Sequence, residues 1–286
     1  MEHAGELTMG GAKFREFVGE FLGTFLLVLL GCGSVAVTVL FGAHQGLMQV
    51  ALVWGVAVAL AIYLTRHLSC AHLNPAVSLA MVLAGRMSPR RLPLYVTAQL
   101  AGALAAGGTI LVLFGPSISA FELAHGIVRG SEASVKTSML FGEFYPNPGM
   151  GAVVPMPLAI GVEAFGTFLL VLLIFALTEG CNVGRPDDAL APAFIGLTVA
   201  SIIALLAPLT QAGLNPARDF GPRLVAWSAG WGGAAFPDHH GGFFWVYILA
   251  PLVGGSVAAA FFARGLAPLL RAKRTPDPSA KEQDCC

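Results

Sequence analysis

An internal repeat constrains the fold of this chain more than any other feature of its sequence. The segment EFLGTFLLVLL at residues 20–30 recurs as EAFGTFLLVLL at residues 163–173, an offset of 143 residues. The tripeptide Asn-Pro-Ala also occurs twice, beginning at Asn74 and at Asn215, an offset of 141 residues. Two features repeated at nearly one period predict two structurally equivalent halves.

Six long apolar segments accompany the repeat, and each is long enough for a tilted helix that crosses a bilayer. They cover approximately residues 14–40, 46–65, 93–114, 156–178, 190–209 and 242–265. The chain is 56% hydrophobic and only 11% charged, with mean hydropathy +0.76, which excludes an ordinary soluble domain. The sequence therefore predicts an all-α integral membrane protein with six transmembrane helices.

Two shorter apolar stretches, at about 75–84 and 216–228, directly follow the Asn-Pro-Ala turns. They are too short to cross, so they are predicted to be re-entrant half-helices, which require protein or a water-filled cavity at their ends. Each half then holds three spans and one half-helix. Because three is odd, the second half must enter from the opposite side of the bilayer, giving an inverted repeat. We predict repeats at about 14–114 and 156–265 within a channel domain at 14–265, flanked by tails at 1–13 and 266–286.

Basic residues predict the orientation of the chain. They are Lys13, Arg15, Arg66, Arg86, Arg90, Arg91, Arg264, Arg271, Lys273 and Arg274. By the positive-inside rule both tails should face the cytoplasm, and the loop at about 115–155 should be external. The predicted location is the plasma (inner) membrane. The formal net charge of zero gives no basic field for nucleic acid.

The Asn-Pro-Ala turns have a direct physical meaning. Asn is a strong helix N-cap, and Pro is favoured at the first helical position. Two helix starts from an inverted repeat bring two positive dipole ends together at the pore centre, which repels cations, while the Asn side chains offer N–H donors to neutral solutes. The motif residues are Asn74, Pro75 and Ala76 in the first half, and Asn215, Pro216 and Ala217 in the second.

Glu20, Glu163 and Arg218 are charged residues within apolar segments, and each needs an explanation. Glu20 and Glu163 occupy equivalent places in the two halves, and we expect each to accept hydrogen bonds from a half-helix loop rather than to bind an ion. Arg218 follows Asn215 by three residues. We expect it to face the pore, where its charge would add to the cation barrier and its N–H groups would hold solute hydroxyls.

Nothing in the sequence predicts an enzyme, a cofactor or a metal site. The cysteines, Cys32, Cys70, Cys181, Cys285 and Cys286, show no metal-binding or redox spacing. The terminal pair could accept a lipid or have no role. His72 has no evident nucleophile or carboxylate partner, so a structural or pore-lining role is expected.

The segments SCAHLNPAV at 69–77 and GLNPARDFGPR at 213–223 resemble the aquaporin family, also called major intrinsic proteins, and the resemblance covers about residues 13–265. Asp219 and Arg223 make the chain similar to the glycerol facilitators. The resemblance implies a homotetramer in the lipid bilayer, with one pore in each subunit. It also implies a narrowing formed by Trp54, Ile203, Ala212 and Arg218, with His72 and Asp219 as supporting residues.

Glycerol facilitators typically have Trp, Gly, Phe and Arg at these four positions, so Ile203 and Ala212 depart from that pattern. The combination also resembles the nodulin-26-like group, which is associated with glycerol, water, ammonia and neutral metalloid hydroxides. We expect a passive channel for small uncharged solutes, chiefly glycerol and related polyols with some water, that excludes protons and ions. A channel mainly for water or for metalloid hydroxides such as arsenous acid, and an ion-coupled secondary transporter, are the alternatives.

Overall fold

The computed structural model describes residues 2–237 and 242–272. The predicted features at Lys273, Arg274, Cys285 and Cys286 lie outside the described residues. Within the described ranges, every regular element is helical, and six helical segments are long and apolar enough to cross a membrane. These segments are Gly11–Phe41, Leu47–Thr65, Pro89–Ala124, Met156–Thr178, Ala191–Thr210 and Phe244–Arg271. The predicted fold class is confirmed.

The helices follow one another in the predicted order. They are α1 (Glu2–Phe41), α2 (Leu47–Thr65), α3 (Pro75–Leu83), α4 (Leu92–Ala124), α5 (Val135–Ser138), α6 (Met156–Thr178), α7 (Ala191–Thr210), α8 (Pro216–Ala226), α9 (Ala250–Phe261) and α10 (Ala267–Ala272). Wider π-helical turns at Phe244–Leu249 and Phe262–Leu266 extend α9 at both ends. Helices α3 and α8 are the two short ones that follow the Asn-Pro-Ala turns.

The packing of the helices repeats between the two halves. In the first half α1 lies against α2 and α4, and in the second half α6 lies against α7 and α9. The contact between α2 and α7 joins the halves. Each half-helix also packs on the opposite half, because α3 contacts α9 and α8 contacts α4. The halves are therefore interlocked, and both half-helices lie inside the bundle.

Three helix ends differ from the expectation. Helix α1 begins at Glu2 and the last span continues to Arg271, so parts of both predicted tails are helical. Helix α4 continues to Ala124, although the external loop was predicted to begin at about residue 115. Pro116 lies at this point, and a proline inside a helix removes one backbone hydrogen bond. The helix continues because Ile118 and Glu122, beyond the proline, are buried against neighbouring segments.

The outer surface of the bundle is apolar. Val112, Leu113 and Leu205 expose 62–78% of their surface. The contacts between helices are rich in buried alanine, as is usual where helices approach closely in a membrane. An apolar exterior of this kind suits a hydrocarbon environment.

Candidate functional site

Both half-helices begin at the asparagine of an Asn-Pro-Ala turn. Asn74 has an extended backbone, and its side-chain oxygen accepts a hydrogen bond from the Ala76 amide at 2.8 Å. Asn215 has the same form, and its side-chain oxygen accepts from the amides of Ala217 and Arg218 at 3.1 and 3.3 Å. Each asparagine therefore caps the free amides at the start of its helix.

The two turns also bond to each other. The Asn74 side-chain amide donates to the carbonyl of Leu214 at 2.9 Å, and the Asn215 side-chain amide donates to the carbonyl of Leu73 at 2.8 Å. This exchange brings the two helix starts together in the middle of the molecule. Each amide group has two N–H bonds, so one on each asparagine remains for a solute in the adjoining cavity.

Two buried glutamates hold the loops that precede the half-helices. Glu20 accepts hydrogen bonds from the amides of His72 and Leu73 at 3.0 and 2.7 Å, and also from side chains of α4 and the first loop. Glu163 accepts from the amides of Gly213 and Leu214 at 2.8 and 2.7 Å. Both glutamates are completely buried. The structure thus brings each glutamate to the loop of its own half.

The loops contain non-glycine residues in the left-handed backbone region. Ala71 and Leu73 have φ of 49° and 54° in the first loop, and Ala212 and Leu214 have φ of 59° and 57° in the second. Such residues persist only where the surrounding structure fixes them, and the glutamate hydrogen bonds supply that constraint. The same unusual conformation at equivalent places shows that the repeat extends to the backbone of the loops.

A cavity of about 790 Å³ runs past these loops. It is lined by residues of both halves, including Trp54, Val58, Arg66, His67, His72, Asn74, Arg185, Asp188, Ile203, Ala212, Asn215 and Arg218. Most of its wall is apolar, with a few convergent polar groups, which is typical of a site for a small molecule. At one mouth, the Arg66 side chain donates to the carbonyl of Asp188 at 2.6 Å.

Four residues predicted to form a narrowing all line this cavity: Trp54, Ile203, Ala212 and Arg218. The guanidinium carbon of Arg218 lies 4.2 Å from the centre of a Trp54 ring. Arg218 also donates to the carbonyl of Ala212 at 2.7 Å. The indole and the guanidinium are in direct contact in the cavity wall, so a solute that passes beside them meets an aromatic side chain next to a fork of N–H donors.

Arg218 differs from the expectation in one respect, because it is not an isolated positive charge. It forms a buried ion pair with Glu143, a residue of the loop between α5 and α6. The sequence does not point to Glu143, because a carboxylate 75 residues from its partner leaves no local pattern. The only available signal was its place two residues before the Tyr-Pro-Asn-Pro segment at 145–148.

His72 lines the cavity, and Asp219 lies behind the wall, next to Arg218 in the chain. Asp219 accepts two hydrogen bonds from the Arg223 guanidinium, at 2.7 and 3.1 Å, and one from the Glu143 amide at 2.7 Å. His72 lies 3.2 Å from the Ser78 hydroxyl and against the Tyr95 ring. In the described part of the chain, no three His, Cys, Asp or Glu side chains are grouped as metal ligands would be.

Comparison with known proteins identifies related sequences and structures. The model of the family described as Major intrinsic protein matches residues 9–262. The chain is 40% identical to a glycerol uptake facilitator protein of Pseudomonas aeruginosa, over 94% of this chain and 95% of that protein. It is 43% identical to the glycerol uptake facilitator protein of Escherichia coli K12, over 87% and 86% of the two chains.

Two further relatives extend the comparison. The propanediol uptake facilitator PduF of Citrobacter freundii is 40% identical over 89% of this chain and 93% of that protein. The X-ray structure of the aquaglyceroporin from Plasmodium falciparum superposes with a TM-score of 0.79 at 29% identity, covering 91% of this chain and 99% of that one.

Proposed function

Because this chain belongs to the major intrinsic protein family, we propose that it is a passive channel for glycerol and related small polyols, with some permeation of water. Relatives named as glycerol and propanediol facilitators support small neutral polyols as the solutes. Members of this family are channels and not enzymes, and we assign no chemical reaction to the chain.

The proposal rests on the contact between Trp54 and Arg218, which lie side by side in the wall of the cavity. A polyol has a carbon backbone on one side and hydroxyl groups on the other. The part of the indole that lines the cavity can contact the carbon atoms, while the guanidinium beside it donates hydrogen bonds to the hydroxyl oxygens. We assign selectivity to these two residues together with Ile203 and Ala212.

We assign the exclusion of cations to the two Asn-Pro-Ala turns. Both half-helices direct their positive ends at the middle of the cavity, and the asparagine N–H groups can donate to a passing oxygen. A cation would lose water there while facing two positive helix ends and the asparagine N–H donors, so the turns oppose protons and metal ions.

The hydrogen bonds of the two buried glutamates favour passive transport over ion-coupled transport. Glu20 and Glu163 are the buried carboxylates that bond directly to the loops before the turns, and a carrier would need such a group to exchange ions during transport. Both accept several hydrogen bonds from the loops they support. Ion exchange at either position would break the loop conformation on which the half-helix depends.

The assembly and orientation of the chain follow from the same proposal. We propose a homotetramer in the plasma (inner) membrane, with the exposed apolar helix faces in contact with lipid or with neighbouring subunits. Four arginines lie at one end of the bundle. Arg15 donates to the carbonyl of His67, Arg66 to the carbonyl of Asp188, Arg86 to the carboxylate of Glu179, and Arg91 pairs with Glu16. By the positive-inside rule that end faces the cytoplasm, as do both termini.

The test is the flux of solutes into proteoliposomes that contain the purified protein. In a stopped-flow light-scattering experiment, glycerol should enter these vesicles at least about tenfold faster than empty vesicles, a difference of about 1.4 kcal/mol in barrier. The rate should not change when a proton or sodium gradient is applied. Glycerol entry no faster than in empty vesicles would refute the proposal.

Ile203 and Ala212 favour a second solute class, the neutral metalloid hydroxides. Relative to Gly and Phe, this pair moves side-chain volume from one wall of the cavity to the other while both walls remain apolar. The altered shape suits compact, uncharged hydroxides. Measuring water, glycerol and arsenous acid entry in one vesicle preparation decides the order of preference.

A further inference from the structure

We infer that Glu143 is a specificity-determining residue. Its carboxylate forms an ion pair with Arg218 and thereby prevents small anions from binding to this arginine at the narrow part of the cavity. This inference rests on the proposed channel function. It concerns the loop between α5 and α6, which the sequence identified only as an external loop.

The ion pair between Glu143 and Arg218 is shielded from water. The side chains retain only 6% and 4% of their exposure. A charge pair at such a site is screened far less by salt than a pair on the surface. Removal of one member leaves the other as an uncompensated buried charge, which then seeks another partner.

The backbone around Glu143 is fixed on both sides. Its amide donates to Asp219 at 2.7 Å, and its carbonyl accepts from Arg223 at 2.6 Å. The next amide, of Phe144, donates to the side-chain oxygen of Gln211 at 2.8 Å. The Asp219–Arg223 pair therefore holds the loop in place, and the loop in turn directs the Glu143 carboxylate at Arg218.

Gly142 allows the loop to approach closely enough for this contact. A Cβ atom at this position would lie 2.7 Å from the guanidinium carbon of Arg223. A larger residue would require the Arg223 guanidinium, which bonds the Glu143 carbonyl, or the loop itself to shift. The loop conformation that places Glu143 on Arg218 thus depends on a glycine immediately before it.

The charges near the narrowing are balanced only with Glu143 in place. Arg223 is neutralised by Asp219, and Arg218 by Glu143. An arginine has five N–H donors and no acceptor, and its planar fork matches small planar oxyanions. Without the carboxylate, Arg218 would offer that fork to nitrate or formate, and a bound anion would obstruct a solute.

Inhibition of glycerol flux by an anion tests the inference. Wild type, Glu143→Gln and Glu143→Asp are compared in proteoliposomes, in about 100 mM potassium nitrate or potassium gluconate at equal osmolality on both sides. Glu132→Gln is the matched control, because Glu132 is an exposed carboxylate of the same loop region. The ratio of the rates in gluconate and nitrate is compared, so the basal rate of each variant cancels.

We expect nitrate to slow glycerol entry about threefold or more in Glu143→Gln, and to change it little in wild type, Glu143→Asp and Glu132→Gln. Equal nitrate ratios in Glu143→Gln and wild type would overturn the inference. An equal effect in Glu132→Gln would also overturn it, because the cause would then be the net charge of the loop.

A second variant and a second readout cover the case of poor folding. Gly142→Ala keeps every charge but displaces Glu143, so it should show nitrate inhibition between those of wild type and Glu143→Gln. Nitrate should also raise the melting temperature of purified Glu143→Gln relative to gluconate, because an anion that binds the native state stabilises it. The melting temperature can be measured without any glycerol flux. If the wild type showed no glycerol flux, the proposed function would be refuted, but the effect of nitrate on the melting temperature would still test the inference.

Discussion

Gly31 should control the position of Trp54 and, through it, the rate of glycerol entry. Gly31 lies on α1, buried behind the cavity wall, and Trp54 lines the cavity. A Cβ atom on Gly31 would lie 2.3–2.4 Å from three atoms of the indole. Carbon atoms in contact are normally about 3.5–4.0 Å apart, so Gly31→Ala must displace the indole by roughly 1 Å or more.

The displacement has a direction and an expected magnitude. Because α1 blocks movement outward, the indole can only move toward the cavity, where the Arg218 guanidinium lies 4.2 Å from its ring centre. Overpacking of this kind costs about 1–3 kcal/mol. If about 1.4 kcal/mol of that cost is added to the barrier for a solute, glycerol entry falls about tenfold.

The assay is stopped-flow glycerol entry into proteoliposomes of wild type, Gly31→Ala and Gly33→Ala, normalised to the amount of protein inserted. Gly33→Ala is a matched control on the same helix, because its Cβ would lie 3.7 Å from the nearest atom, an ordinary contact with Ile110. Both changes raise helix propensity equally. A glycerol rate for Gly31→Ala equal to that of Gly33→Ala would refute the reasoning. Trp54→Phe in the Gly31→Ala background should restore much of the rate, since the smaller ring vacates space.

Three further changes give defined outcomes. Trp54→Ala should widen selectivity more than it raises total flux. In the same vesicle assay, the entry rate of a larger polyol should therefore rise relative to that of glycerol. An unchanged ratio of the two entry rates contradicts the role given to the indole. Glu163→Leu should lower the thermal unfolding midpoint in detergent well below that of the control Glu132→Leu. The reason is that two buried loop amides lose their acceptor, at a cost of about 1–3 kcal/mol each. Equal midpoints would show that the loop does not depend on the carboxylate. The double change Ile203→Gly and Ala212→Phe should raise glycerol entry relative to arsenous acid entry, and a fall in that ratio would argue against shape as its basis.

Much of the fold follows from the sequence because the relevant physics is local. A span is an apolar run of a required length, and the six predicted spans agree with the six membrane-compatible helical segments. The starts of α3 and α8 agree with the Asn-Pro-Ala turns, since Asn and Pro act on the backbone amides next to them. The end of α4 could not be predicted, because buried contacts beyond Pro116 outweigh its local effect.

The candidate site also has features that the sequence predicts and features that it does not. Arg218 is identified by its place in a repeated motif, and Glu20 and Glu163 by their equivalent positions in the two halves. The left-handed loop backbone carries no comparable signal, since Leu73 and Leu214 are ordinary residues whose conformation is imposed by hydrogen bonds to distant glutamates.

The sequence by itself determined that this protein has an inverted repeat of spans and half-helices, because hydropathy and helix capping depend on residues close together in the chain. Only the tertiary structure decided the electrostatics of the narrowing, because charge interactions depend on distance in space. Arg218 alone indicates a cationic ring, but the loop fixed by Asp219 and Arg223 brings Glu143 against it and makes the pair neutral. That pairing joins residues far apart in the chain, and folding is what brings them into contact.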